Sequence, residues 1–275
     1  MVIGICKLTG ETGPLVKSHI IPKALTSPDE KGRPFAQAGR DYPPRKRRDS
    51  WYDAELVTRI GEDILAEYDS WGIEVLRRNR LVWSGFGTSD GPPEDDMLLL
   101  PGSDGAGVRK IAGIDGSRLR LFLLSILWRA AASSLPEFKA VRMLPAELRR
   151  LGRMVRDGRH EPAHFFPVSL TQLTTRGQVH NHAPIAQRKL RDPTKPDGGS
   201  IPIFRFYFDG LIAHFHRKGR ARDVAALGPL IVGGADNLAV VVRPYDGSWQ
   251  EANLLALISE AESRWPERLE KIYRG

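Results

Sequence analysis

The chain has 275 residues, 41% of them hydrophobic and 27% charged, which is enough apolar material for a sizeable core and argues against wholesale disorder. Lys and Arg outnumber Asp and Glu by 41 to 33, a formal charge of +8, and this favours an anionic partner, nucleic acid foremost. The single cysteine, Cys6, excludes an internal disulfide framework and a cysteine-based zinc site. There is no signal-peptide pattern and no bilayer-length apolar run, so the expectation is a cytoplasmic protein without a membrane partner, with room for a homo-oligomer.

In chain order, Val2 to Cys6 reads as a short strand, Thr9 to Pro14 as turn chemistry, and Leu15 to Ile20 as a returning strand. Pro22 opens one helical turn to Leu25. Thr26 to Ser50 reads as a polar loop that carries the basic run Arg45-Lys46-Arg47-Arg48. A helix is expected from Asp53, a good N-cap, with Leu56, Ile60, Ile64, Tyr68 and Trp71 on its buried face. It ends in the basic stretch at 77–80. The Gly- and Pro-rich stretch 84–96 marks a boundary near residue 90, which divides the chain into 1–90 and 91–275.

Ser117 to Ser134 is apolar nearly all round and reads as a core helix, interrupted by Arg120 and Arg129. Pro145 opens a further helix with Leu148, Leu151, Met154 and Val155 inward and Arg149, Arg150, Arg153 and Arg156 elsewhere. Ile201 to Phe208, the turn Asp209-Gly210 and Leu211 to His216 form the clearest hairpin. Leu230 to Val232 and Leu238 to Val242 read as strands. A last helix starts at Ser248, which stands at capping-box spacing from Glu251, and Pro266 interrupts or ends it. The fold class expected is α+β.

The most specific motif is Cys6-Lys7-Leu8-Thr9-Gly10 followed by Ser18-His19-Ile20-Ile21-Pro22-Lys23. It resembles a branch of the HNH, or ββα-metal, nuclease superfamily, in which a C-x-x-C-G knuckle precedes S-H-I-I-P-K and a later C-x-x-C-E opens a helix. Cys6 and Gly10 match the first knuckle and Thr9 replaces its second cysteine. Thr58 and Gly61 stand at the later cysteine positions, and Glu62 keeps the glutamate. The segment Leu121 to Arg129 is also similar to a helix common in such proteins.

The resemblance implies an N-terminal ββα-metal finger followed by a mixed region of helices and antiparallel strands. It implies a metal-dependent endonuclease acting on nucleic acid, DNA favoured, with His19 as general base and Glu62 as a catalytic metal ligand. Phosphodiester hydrolysis needs an activated water and a cation to stabilise charge on the leaving oxygen. Mg²⁺ or Mn²⁺ suits oxygen ligands and retains several waters. Ser18 stands where such fingers commonly carry Asp or His, so Asp49 and Asp53 are the candidate replacement ligands. Lys17, Lys23, Arg45, Lys46, Arg47 and Arg48 are the expected phosphate contacts.

With the knuckle cysteines missing, no structural zinc is expected, and Trp51, Tyr52, Tyr68, Trp71 and Trp83 are expected to pack together in its place. The alternative reading is a catalytically inactive descendant, a basic module that binds nucleic acid or a protein partner in a defence system. His180-Asn181-His182 spells the family's letters by coincidence. His214 and His216 share one face of a strand, where such residues pack or meet solvent.

Overall fold

The computed structural model describes residues 2–26, 35–39, 42–47, 49–190 and 199–274, with side chains left out at 35–39, 47 and 273–274. It is a mixed α+β protein with six helices and three sheets among these residues. Among them, no helix is long and apolar enough to cross a membrane.

The chain opens with β1 (Ile3–Ile5) and β2 (Thr12–His19), an antiparallel pair around the Cys6–Gly10 turn. β2 then pairs with β5 (Tyr52–Thr58). Between Val16 and Ser18 the partner on β5 jumps from Val57 to Asp53, a bulge that re-aims the strand. The Leu56 carbonyl freed there accepts from the Lys7 amide at 3.0 Å, which fastens the turn to β5. Helix α1 (Arg59–Arg78) follows at once, with Thr58 as its extended N-cap.

The helix expected from Asp53 therefore starts six residues later, after a strand. Its buried face is Gly61, Leu65, Gly72, Val75 and Leu76, while Ile60 is exposed. Two glycines conceal that face from a hydrophobic pattern. A side chain at Gly72 would enter the Phe122 ring, so the glycine is what lets α1 approach α2 (Gly116–Ala132).

The stretch read as a polar loop contains β3 (Phe35–Gly39) and β4 (Tyr42–Arg47). β3 also pairs, in parallel, with β9 (Asn181–His182), far along the chain. Pro43 and Pro44 argue against a strand, but β4 lies at the sheet edge, where a missing amide is tolerated.

The large sheet runs β10 (Ile185–Leu190), β11 (Ser200–Phe208), β12 (Leu211–His216), β8 (Val168–Leu173), β13 (Leu238–Arg243), β7 (Gly107–Ile111) and β6 (Met97–Leu99). Every neighbouring pair is antiparallel except β8 with β13. The β11–β12 hairpin turns at Asp209 and Gly210, both at positive φ as a two-residue turn requires. Leu230 ends a short 3-10 helix (Gly228–Leu230), and Ile231 and Val232 are bend and turn rather than strand.

One face of this sheet, with Phe204, Phe206, Phe215, Leu170 and Val240, packs on α2 and α3 (Pro145–Asp157). α2 is buried from Leu119 to Ala130, each large side chain contributing about 1.5–3 kcal/mol. The same core takes in Cys6, Ile20, Trp51, Leu56 and Leu65, so residues on both sides of the 84–96 stretch share it. Ser248 caps α5 (Trp249–Arg264), accepting from the Gln250 and Glu251 amides at 3.2 Å. Pro266 separates α5 from α6 (Pro266–Arg274). Helix α4 (Ala221–Leu227) completes the set.

Candidate functional site

His19 ends β2, opposite Tyr52 on β5. Its Nε2 lies 3.1 Å from Asp49 Oδ1. The other Asp49 oxygen accepts from Lys17 Nζ at 2.5 Å, Lys23 Nζ lies 3.6 Å from Oδ1, and the Ser50 amide donates to Oδ1 at 2.9 Å. Burial acts to raise the Asp49 carboxyl, but the Lys17 and His19 hydrogen bonds and charges outweigh it and hold the group far below the usual carboxylate range. An ionised Asp49 can only accept, so His19 carries a proton on Nε2, and in the neutral ring the lone pair is then on Nδ1. Nδ1 makes no hydrogen bond among the described residues. Lys17 Nζ also sits 4.0 Å from the Tyr52 ring centre.

The strand end is fixed from behind by Arg129 on α2, which is buried. Its Nη1 donates to the His19 carbonyl at 2.9 Å and to Asp69 Oδ2 at 2.8 Å. Its Nη2 donates to Asp69 Oδ1 at 2.6 Å and Ser125 Oγ at 3.2 Å. This bidentate pair locks β2, α1 and α2 together. Neither Arg129 nor Asp69 was expected at the site. The signal was present, because an arginine inside an otherwise apolar helix implies a buried acceptor.

Glu62 lies in the first turn of α1 and is half buried. Burial raises its carboxyl, with Ser18, Arg129 and His19 acting against that and Asp69 with it. The Ser18 and Glu62 side chains are close enough to interact, yet Ser18 Oγ and Glu62 Oε2 are each buried without a completed hydrogen bond. Two orphaned oxygens beside a histidine are donor chemistry that fits a hard, partly hydrated cation. No group of three His, Cys, Asp or Glu side chains suited to a metal exists among the described residues.

The expected site residues thus divide. Lys17, His19, Lys23 and Asp49 converge, and Glu62 faces them electrostatically. Asp53 is buried in β5 rather than at a helix start. One of its oxygens accepts from Ser133 Oγ at 2.8 Å and the Ser134 amide at 3.2 Å, and the other from the Glu55 amide at 2.8 Å. Arg45, on β4, lies 3.6 Å from Glu137. Lys46 is exposed, Arg47 is described by its backbone alone, and Arg48 lies outside the described residues.

Cys6, Thr9, Thr58 and Gly61 meet in space. The Thr9 amide donates to Cys6 Sγ at 3.4 Å, and a Cβ added at Gly61 would stand 2.7 Å from that sulfur. Burial raises the Cys6 thiol, but the Thr9 hydroxyl and the amides of Thr9, Thr58 and Leu8 outweigh it and lower it.

The aromatic residues expected to replace the zinc do not form one cluster. Trp51 packs edge-on against Phe138, Tyr68 donates to the Val155 carbonyl, Trp71 meets Arg118, and Trp83 joins Phe86, Leu173, Tyr207, Ile212 and Tyr245. The N-terminal strands are braced instead by the common core with α2.

A second polar cluster lies on the other face of the large sheet. The Gln250 amide nitrogen is 2.8 Å from both His180 Nε2 and His182 Nε2, and its oxygen accepts from Arg205 Nη2 at 2.8 Å. Nδ1 of His180 donates to the Gln178 carbonyl and that of His182 to the Ala183 carbonyl. Both imidazoles are therefore neutral, and burial pushes them down to about 4 and about 3. His216 Nε2 meets Ser169 Oγ at 3.1 Å, while both His214 ring nitrogens are buried without partners.

No family model, curated protein or solved structure matches this chain.

Proposed function

We propose that the chain is an HNH-like, metal-dependent endonuclease acting on nucleic acid, DNA in preference, with His19 as general base. The observation that carries this reading is the Asp49–His19 pair at the end of β2. An acceptor-only carboxylate on Nε2 leaves the lone pair of the neutral ring on Nδ1, and Lys17 and Lys23 flank the same carboxylate. The antiparallel pair β2–β5, followed directly by α1, and the meeting of Cys6, Thr9, Thr58 and Gly61 support the family resemblance.

In this reading Lys17 and Lys23 hold the phosphate oxygens and place the phosphorus before His19. His19 Nδ1 takes the proton from a water as that water attacks phosphorus and the P–O bond to the leaving oxygen breaks. Asp49 stabilises the imidazolium that results. Glu62 and Ser18 are the residues that would hold Mg²⁺ or Mn²⁺, which supplies positive charge to the leaving oxygen.

The test is incubation of the purified full chain with plasmid and either ion. Cleavage is expected for the native protein and lost in His19→Ala; cleavage that survives His19→Ala overturns the assignment of the base. A second reading, an inactive basic module in a defence system, is favoured by the lack of a three-ligand metal cluster among the described residues. It requires salt-dependent binding with no nicking under either ion.

A further inference from the structure

α3 and the Cys6–Gly10 turn enclose a cleft of about 500 Å³ that the reading above leaves unused. Its floor is apolar, with Leu8, Trp128 and Leu148, and its rim carries Lys7, Arg149, Arg153 and Arg156. None of the residues lining it is acidic.

These cations differ in their engagements. Lys7 Nζ donates to the Ala132 carbonyl at 3.0 Å, and Arg156 is paired with Asp157 at 2.7 Å. Arg149 and Arg153 are exposed and make no ion pair among the described residues. Arg150, on the same helix, is parked 4.4 Å from the Phe165 ring centre and does not line the cleft. Arg149 and Arg153 are one helical turn apart, so their stems leave α3 about 6 Å from each other along its axis. Arg156 continues the row three residues on.

The cleft lies beside the His19 site. Arg129 on α2 holds the His19 carbonyl, and Ala132, less than one turn further, lines the cleft. Lys7 is bonded through its amide to Leu56, four residues along β5 from the Tyr52 that faces His19, about 13 Å by strand rise.

We infer that this cleft is a second phosphate-binding surface, which holds the nucleic-acid backbone away from the point of attack. A row of exposed cations, of which Arg149 and Arg153 make no ion pair among the described residues, suits a row of phosphates, and the apolar floor suits the sugar or base edge beside them. The choice of nucleic acid as occupant rests on the reading of the His19 site; the cleft's preference for a polyanion does not.

The experiment measures duplex DNA binding by the full chain in EDTA, where no cleavage occurs, as a function of salt. Arg149→Ala/Arg153→Ala is compared with native protein and with Arg222→Ala, an exposed change on α4. Removal of two phosphate contacts is expected to weaken binding and to reduce the slope of log K against log salt by about two, with Arg222→Ala close to native. Unchanged affinity and slope in the double variant overturn the inference. So does competition by polyglutamate as effective as that by DNA of equal charge. Loss of the binding effect with plasmid cleavage intact sinks this surface alone. Absence of cleavage with the binding effect present sinks the nuclease reading alone.

Discussion

Gly61 stands so close to Cys6 that a Cβ there would lie 2.7 Å from the cysteine sulfur, and 2.9 Å from Val57 Cβ. The contact presses the start of α1 onto the turn between β1 and β2. Gly61→Ala is expected to destabilise the protein by about 1–3 kcal/mol through overpacking. Part of that cost should be recovered when Cys6→Ala is added, because the sulfur is the nearer obstacle. Urea unfolding of the two single variants and the double variant measures the coupling, and strict additivity would deny it.

The Asp49–His19 bond sets the tautomer on which the proposed chemistry depends. Asp49→Asn can present an N–H to Nε2 and so favours the proton on Nδ1, which removes the base. Plasmid cleavage is expected to fall by roughly 10²–10⁴, with the fold retained, as near-native circular dichroism would show. Cleavage at the native rate would show that Asp49 does not orient His19.

Arg129 joins the His19 carbonyl to Asp69 across α2 and α1. Arg129→Met removes the cation but leaves Asp69 with an uncompensated, largely buried charge, at a cost of about 3–5 kcal/mol. Arg129→Met with Asp69→Asn should be more stable than Arg129→Met alone. Chemical denaturation distinguishes the two, and a double variant no better than the single one would mean that the ion pair is not the main loss.

Acid stability should be governed by the histidines buried on the second face of the large sheet. Burial holds His180, His182 and His216 at about 4, about 3 and about 4 in the fold. In the unfolded chain they titrate near 6.5. Because the unfolded state binds more protons below that pH, their stabilisation is complete above about 6.5. It is lost progressively as pH falls from about 6.5 to the folded values, at roughly 1.4 kcal/mol per pH unit for each histidine. Asp49 stays ionised through this window, so it does not account for the loss. Thermal melts from pH 7.5 to 4 should show a steep decline below 6.5, shallower in His216→Asn. A flat profile would contradict neutral, buried imidazoles.

Several elements could be read from local signals, for physical reasons. Asp209-Gly210 between alternating strands can adopt the positive φ of a two-residue turn, and it does. Ser248 with Glu251, Pro145 and Pro266 mark helix ends through dihedral and hydrogen-bond preferences that act within four residues. The stretch 35–47 could not be read this way, because β3 depends on Asn181 and His182 as pairing partners. β5 could not either, since Asp53 has the composition of an N-cap but is drawn into a strand by Ser133 and Ser134.

The sequence by itself determined the basic balance, the α+β class, the buried α2 helix and the singling out of His19, all properties of composition, period and short motifs. The tertiary structure alone decided that His19 is held by Asp49 and Arg129, residues 30 and 110 positions away. It also decided that Asp53 faces inward, and that Thr9 and Gly61 close around the Cys6 sulfur. Those outcomes depend on contacts between distant segments, whose free energy comes from shared burial and desolvation that no local pattern records.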